Sequence, residues 1–133
     1  MERYILSHDM GTGSDKAVLV DYSGNIAATA VAPYPTFYPN PAWAEQDPED
    51  YWKAVAQSSR RIIEDTGISP EQIKGIVFST QAQGIIPVDR DGAVLYKNIT
   101  WVDGRAQKQA ENIMKKLGGK KLFSMVAGTP IMG

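Results

Sequence analysis

Residues 9–16 read Asp-Met-Gly-Thr-Gly-Ser-Asp-Lys, at the end of one short apolar run and the start of another. A carboxylate at a strand end can hold Mg²⁺ directly or through water, because Mg²⁺ prefers oxygen ligands and keeps several waters. Glycines at 11 and 13 let backbone N–H groups approach phosphate oxygens. Thr12 and Ser14 add hydroxyls, and Lys16 adds a positive charge. The chemistry on offer is binding of a phosphate group and its metal. The GxxxxGK[ST] loop is absent, and a strand follows where that loop needs a helix. On these residues alone, an ordinary glycine-rich hairpin with a surface lysine stays open as the other reading. His8 is the sole histidine. Strand alternation sends it to the face opposite Asp9, so it is expected to pack and not to act as a general base.

Positioning these groups requires elements that the hydrophobic pattern supplies. Tyr4 to Asp9, Ala17 to Val20 and Ile26 to Ala32 read as strands, joined by turns at Gly11–Ser14 and Asp21–Asn25. The turn glycines are expected to use positive φ. Pro33 to Pro41 holds four prolines and three aromatics and reads as an extended crossing. A helix then starts: Asp47 as N-cap, Pro48 in the first position, and Glu49 and Asp50 at the positive end of the dipole. Trp52, Val55, Ala56, Ser59, Ile62 and Ile63 form its predicted buried face, and Gly67 its left-handed stop. Strands are predicted at Ile73–Thr80, Ile85–Val88 and Ile99–Val102, with a hairpin turn at Asp89–Gly92. A second helix carries Ala106, Ala110, Ile113, Met114 and Leu117 on one face and stops at Gly118. A short helix ending near Ala127-Gly128 follows. Three antiparallel strands, a helix and a returning strand make an α/β fold with a mixed sheet.

Bulk composition excludes several classes. At 43% hydrophobic and 22% charged residues the 133-residue chain is a folded domain and not a disordered one. A net charge of -1 without a basic stripe argues against nucleic acid as partner. There is no cysteine, hence neither disulfide nor thiolate metal site. No stretch approaches the ~20 apolar residues of a membrane span. The expectation is a cytoplasmic protein with no membrane partner.

Four segments in order carry a resemblance. They are Asp9 to Lys16, Trp43-Ala44-Glu45-Gln46-Asp47-Pro48, Ser79-Thr80-Gln81-Ala82-Gln83-Gly84 and Trp101-Val102-Asp103-Gly104-Arg105. Together they resemble the FGGY carbohydrate kinases, most closely the xylulokinase-like members, with Ala42 where that family commonly has glycine. The resemblance implies a ribonuclease-H-like (actin-like ATPase) sheet, with residues 1–133 as a partial N-terminal domain and the second domain absent. It implies ATP as co-substrate with Mg²⁺, Asp9 at the metal, and Gly11, Thr12 and Lys16 along the phosphate channel. It places Gln81, Ala82, Gln83, Trp101, Asp103 and Arg105 at the small-molecule sugar. From the residues themselves, Trp101 reads equally as core packing, Asp103 as a helix cap and Arg105 as its ion-pair partner.

The arginine–glutamate pair that the family uses for glycerol is missing, since Ala82 and Gln83 stand in the equivalent segment. Gln83 both donates and accepts, which suits sugar hydroxyls. A ketopentose such as xylulose is the expected substrate. The proton-accepting aspartate and adenosine pocket are expected beyond Gly133, so the chain alone is expected to be inactive. The rival expectation is a non-catalytic module whose exposed apolar surface drives association into a homo-oligomer. A nuclease of the same fold is disfavoured, because it needs several carboxylates around paired metals and Ile73–Thr80 offers none.

Overall fold

The computed structural model describes residues 2–127. Strands β1 (Tyr4–Met10), β2 (Ser14–Asp21) and β3 (Ile26–Pro33) form an antiparallel meander. Strand β5 (Ile73–Thr80) returns parallel to β1, giving the order β3-β2-β1-β5. A second, two-stranded sheet pairs β4 (Glu45–Gln46) with β6 (Asn98–Ile99). Helix α1 (Pro48–Thr66) covers one face of the meander, and α2 (Gln107–Lys116) and α3 (Gly119–Ala127) follow β6. The mixed α/β sheet expected from the element order is present. Gly128, named in the expected end of the last helix, lies outside the described residues.

Alternation along β1 and β2 builds the core. Tyr4, Leu6, Ala17, Leu19 and Ala30 point to α1 and pack with Ile62, all buried. Full burial of side chains such as Leu6, Leu19 and Ile62 stabilises by about 1.5–3 kcal/mol each. The same alternation buries His8 and exposes Asp9, as expected from their adjacency. His8 stacks on Phe78 and its Nδ1 lies 2.8 Å from the buried Asp15 carboxylate. Ser58 of α1 donates to that same oxygen at 2.5 Å. His8 therefore ties β1 and β2 to the helix and takes no part in the cleft.

Helix α1 is capped as its sequence dictates. Asp47 accepts from the Glu49 N–H, Pro48 opens the first turn, and Gly67 closes the helix at φ 65° with its N–H on the Ile63 carbonyl. The buried stripe is shifted, however. Ala54, Val55, Ser58 and Ile62 are buried, whereas Trp52 is 68% exposed. Tyr51, and not Trp52, lies in line with Val55, Ser58 and Ile62 at i, i+4, i+7 and i+11.

Three other expectations need correction. The stretch Ile85–Val88 forms no continuous strand: Ile85 bridges Ile99 while Val88 bridges Val94, and Pro87 between them has no N–H to donate. The hairpin turn at Asp89–Gly92 does form, with the Asp89 side chain accepting from Asp91 and Ala93. Strand β6 ends at Ile99 because the Thr100 carbonyl accepts from the Asp103 N–H, turning the chain at Trp101. Gly11 and Gly13 do not adopt positive φ, so that turn does not rest on left-handed glycine; among the described residues, Ala42 and Gln83 are the non-glycine residues that adopt it, at φ 64° and 66°. Ala42 thus occupies a backbone conformation suited to glycine.

Candidate active site

The Gly11–Ser14 turn is held from inside by side chains remote in sequence. The Tyr34 hydroxyl donates to the Gly11 carbonyl, the Gln46 amide to the Thr12 carbonyl at 2.6 Å, and the Tyr34 N–H to the Gly13 carbonyl at 3.1 Å. In a trans peptide the N–H points opposite the C=O. Anchoring the carbonyls of Gly11 and Thr12 inward therefore turns the N–H groups of Thr12 and Gly13 outward. That is the orientation a phosphate-binding turn needs. Burial, followed by the neighbouring Tyr51, pushes the Tyr34 hydroxyl up to about 12 and keeps it a donor.

Outside this turn stands Asp9, at the end of β1 and roughly half exposed, with Lys16 Nζ 3.3 Å from its Oδ2. As an exposed pair it contributes about 0–1 kcal/mol to stability. Among the described residues no group of three or more His, Cys, Asp or Glu could hold a metal. Asp9 offers a single carboxylate beside the Gly11–Ser14 turn, a donor set that fits Mg²⁺ held by one carboxylate, substrate phosphate oxygens and water.

The second wall comes from the end of β5. Asp9, Gly11, Thr12, Thr80, Gln81, Ala82, Gln83 and Trp101 line one cleft of about 300 Å³. Trp101 is partly exposed and its indole N–H donates to Thr12 Oγ1 at 3.0 Å, so it is a wall of the cleft joined to the turn and not a core residue. Gln83 holds its positive φ here, a conformation that costs on the order of 1–3 kcal/mol in a non-glycine residue and concentrates at functional sites. A larger groove of about 550 Å³ lies between β3 and α1 and includes Thr29, Arg60, Arg61 and Asp65, but none of the turn or of residues 79–84.

Asp103 and Arg105 are engaged outside this cleft. The Arg105 guanidinium makes two bonds to Asp103 at 2.7 and 2.8 Å and one to Glu45 at 2.7 Å, and lies 3.8 Å over the Trp43 ring. Asp103 also accepts from the Ala44 N–H at 2.7 Å. It does not cap α2, whose N-cap is Ala106. The guanidinium holds the Asp103 carboxyl down at about 2 and lowers Glu45, to which the Tyr96 hydroxyl also donates. This clamp fastens the 101–105 segment to β4 and so places Trp101. The ion-pair reading of Arg105 is present in this geometry.

The sequence matches the FGGY family of carbohydrate kinases, N-terminal domain, over residues 4–132. The chain belongs to that family. It is similar to the glycerol kinases of Thermococcus gammatolerans, 36% identical across 89% of this chain, and Thermococcus kodakarensis, 34% across the same share. It spans about a quarter of their length: 24% of each. Among solved structures it resembles a xyloylose kinase from Brucella ovis at TM-score 0.85 and 27% identity, covering 98% of this chain and 26% of that one. A ligand-bound xylulose kinase from Lactobacillus acidophilus matches at TM-score 0.80 and 28% identity, over 92% of this chain and 24% of that one. These FGGY kinases share the actin-like ATPase fold expected from the sequence.

Tyr34, Gln46, Tyr51 and Asn98 escaped the sequence reading as site residues. Gln46 had a visible signal, since it lies inside the Trp-Ala-Glu-Gln-Asp-Pro segment. Its partner, the Thr12 carbonyl, is backbone and carries no sequence mark.

Two predictions follow from these anchors. Gln46→Glu preserves size but replaces the amide donor with a carboxylate, leaving the Thr12 carbonyl without a donor, whereas the Thr36 hydroxyl can rotate to donate to the new oxygen. Each buried polar group so orphaned costs about 1–3 kcal/mol. Urea unfolding is expected to show a loss of about 1–3 kcal/mol. Asp103, with its folded pKa lowered to about 2, contributes stability that is present above its ordinary carboxyl range and lost as pH falls toward 2. Asp103→Asn is expected to flatten the unfolding free energy between about pH 4 and pH 2.

Proposed function

We propose that this chain supplies the phosphate-facing and sugar-facing walls of an ATP-dependent sugar kinase. The reaction transfers the γ-phosphoryl of ATP to a hydroxyl of a polyhydroxy substrate, with a ketopentose such as xylulose as the best fit. The observation that carries this reading is the single cleft uniting Asp9, the turn at Gly11 and Thr12, and Gln81, Ala82, Gln83 and Trp101. Relatives named as glycerol, gluconate and xylulose kinases support the reaction class. The substrate choice rests on Ala82 and Gln83, which leave the glycerol-type arginine–glutamate pair unformed and present a two-way hydrogen-bonding amide.

Catalysis of phosphoryl transfer is largely positioning and charge stabilisation. The outward N–H groups of Thr12 and Gly13 would cradle phosphate oxygens, and Lys16 would add positive charge. Bound Mg²⁺ would neutralise charge developing on the transferred group. Asp9 would hold that ion, and Trp101 would flank the acceptor sugar. On this reading the base that takes the hydroxyl proton would come from another part of the kinase.

A second reading, an associating module, has its own observation. Strand β5 is the edge of the sheet among the described residues, and Ile76, Val77 and Phe78 are each more than half exposed. Unprotected apolar edges template pairing with other chains.

Isothermal titration tests the first reading. Mg·ADP is expected to bind the chain more tightly than metal-free ADP. Asp9→Asn should cancel that difference while leaving metal-free binding intact; an undiminished magnesium effect would remove Asp9 from the metal. Light scattering tests the second. The chain is expected to associate with rising concentration, and Val77→Lys should shift it toward monomer.

A further inference from the structure

Among the described residues β3 is the other edge of the sheet, three strands from β5. An edge strand carries unpaired N–H and C=O groups that template pairing with another chain, and charges, prolines and bulges are its usual guards. Strand β3 reads Ile-Ala-Ala-Thr-Ala-Val-Ala-Pro, with no charge in its eight residues. Its guards stand only at the ends: the register with β2 skips Ala27, and Pro33 closes the strand. Residues 28–32 between them keep a regular register, and Val31 is 64% exposed.

The groove of about 550 Å³ noted above runs along this edge, with Ala30 on its strand side and Arg60 and Glu64 on its helix side. Charge limits what can fill it. Arg61 is taken by Asp65 of its own helix at 2.7 Å. Arg60 and Glu64 are exposed and enter no ion pair among the described residues. The groove therefore offers one unpaired charge of each sign. An acidic partner would meet Glu64 unfavourably, and a basic one would meet Arg60. A second copy of the chain meets neither objection. Ile62 packs in one cluster with Ala30, and Arg60 and Glu64 stand two positions to either side of Ile62. A two-fold axis at the sheet edge, level with Ala30, therefore runs past Ile62. It carries Arg60 of each copy toward Glu64 of the other. The same rotation sets β3 antiparallel to its own copy. A patch complementary to itself in this way suits an isologous dimer.

We propose that the β3–α1 edge is a homodimer interface, in which two copies pair β3 with β3 antiparallel about Ala30 and exchange Arg60–Glu64 salt bridges across the axis. Main-chain bonds between the strands supply the affinity, as in other strand-addition complexes. The charges fix register and partner. This surface goes beyond the kinase reading and uses neither the phosphate turn nor the β5 edge.

Sedimentation equilibrium of the Val77→Lys chain gives the test, since that background removes association through β5. A monomer–dimer equilibrium without larger species is expected. Arg60→Glu and Glu64→Arg each set like charges opposite one another across the axis. Each is expected to raise the dissociation midpoint about tenfold, roughly the worth of two exposed ion pairs. Both positions are exposed, so neither change touches the core. Mixing the two variants opposes unlike charges again and is expected to restore the parent midpoint in a heterodimer. A chain that stays monomeric overturns the proposal. So does a dimer indifferent to both charge reversals, or one that mixing fails to restore. Growth past the dimer, as head-to-tail pairing would give, overturns it as well. The kinase reading is tested separately by Mg·ADP at the turn and stands or falls apart from these outcomes.

Discussion

The Thr12 carbonyl accepts from the Gln46 amide at 2.6 Å, and that bond fixes the chemistry on both sides of it. Toward the solvent, it orients the turn so that backbone N–H groups face the cleft. Toward the interior, it sets the direction of every donor in the Gln46–Tyr51–Gln81–Asn98 chain. A single amide flip at Gln46 would oppose two oxygen atoms and reverse the rest. Buried polar networks of this kind are strongly specifying when satisfied and costly when broken. Gln46 is fully buried and engages its nitrogen with Thr12 and Thr36 and its oxygen with Tyr51 and Gln81.

Two further polar assemblies support this one from different directions. On the helix side of the sheet, His8, Asp15 and Ser58 link β1, β2 and α1. On the other flank, Arg105 draws together Asp103, Glu45 and Trp43. Glu45 and Gln46 are adjacent in β4, so the clamp and the network meet in two consecutive residues. Their side chains diverge, one to the Arg105 cluster and one to the turn. Trp101 closes the loop by bonding to Thr12 Oγ1. The Gly11–Ser14 turn is therefore held by residues that lie up to about ninety positions away in the chain.

Much of this was legible in the sequence, for identifiable reasons. Period-two alternation placed His8 inside and Asp9 outside, and the Asp47-Pro48 and Gly67 signals set the limits of α1. Order and spacing of four short segments gave the family. What failed were inferences that depend on side-chain partners. Asp103 reads as a helix cap, but it accepts from Arg105 and from the Ala44 N–H, while Ala106 stands at the N-cap of α2. Trp52 looked like core because it is large and apolar, although Tyr51 holds the central position on the helix face. Gly11 and Gly13 suggested left-handed backbone, whereas their turn is shaped by bonds to its carbonyls. Such long-range pairings have no local period to announce them.

On the proposed reading, a phosphate ligand meets first the outward N–H groups at Thr12 and Gly13, with the Asp9 carboxylate beside them. Because the chain spans about a quarter of its relatives, this half-site is where the claim can be examined in isolation. A crystal structure of the chain grown with Mg²⁺ and ADP tests it most directly. The account predicts diphosphate oxygens against the Thr12 and Gly13 amides, with the ion next to Asp9. Nucleotide bound away from this turn, or phosphates at the turn with the ion remote from Asp9, would contradict it.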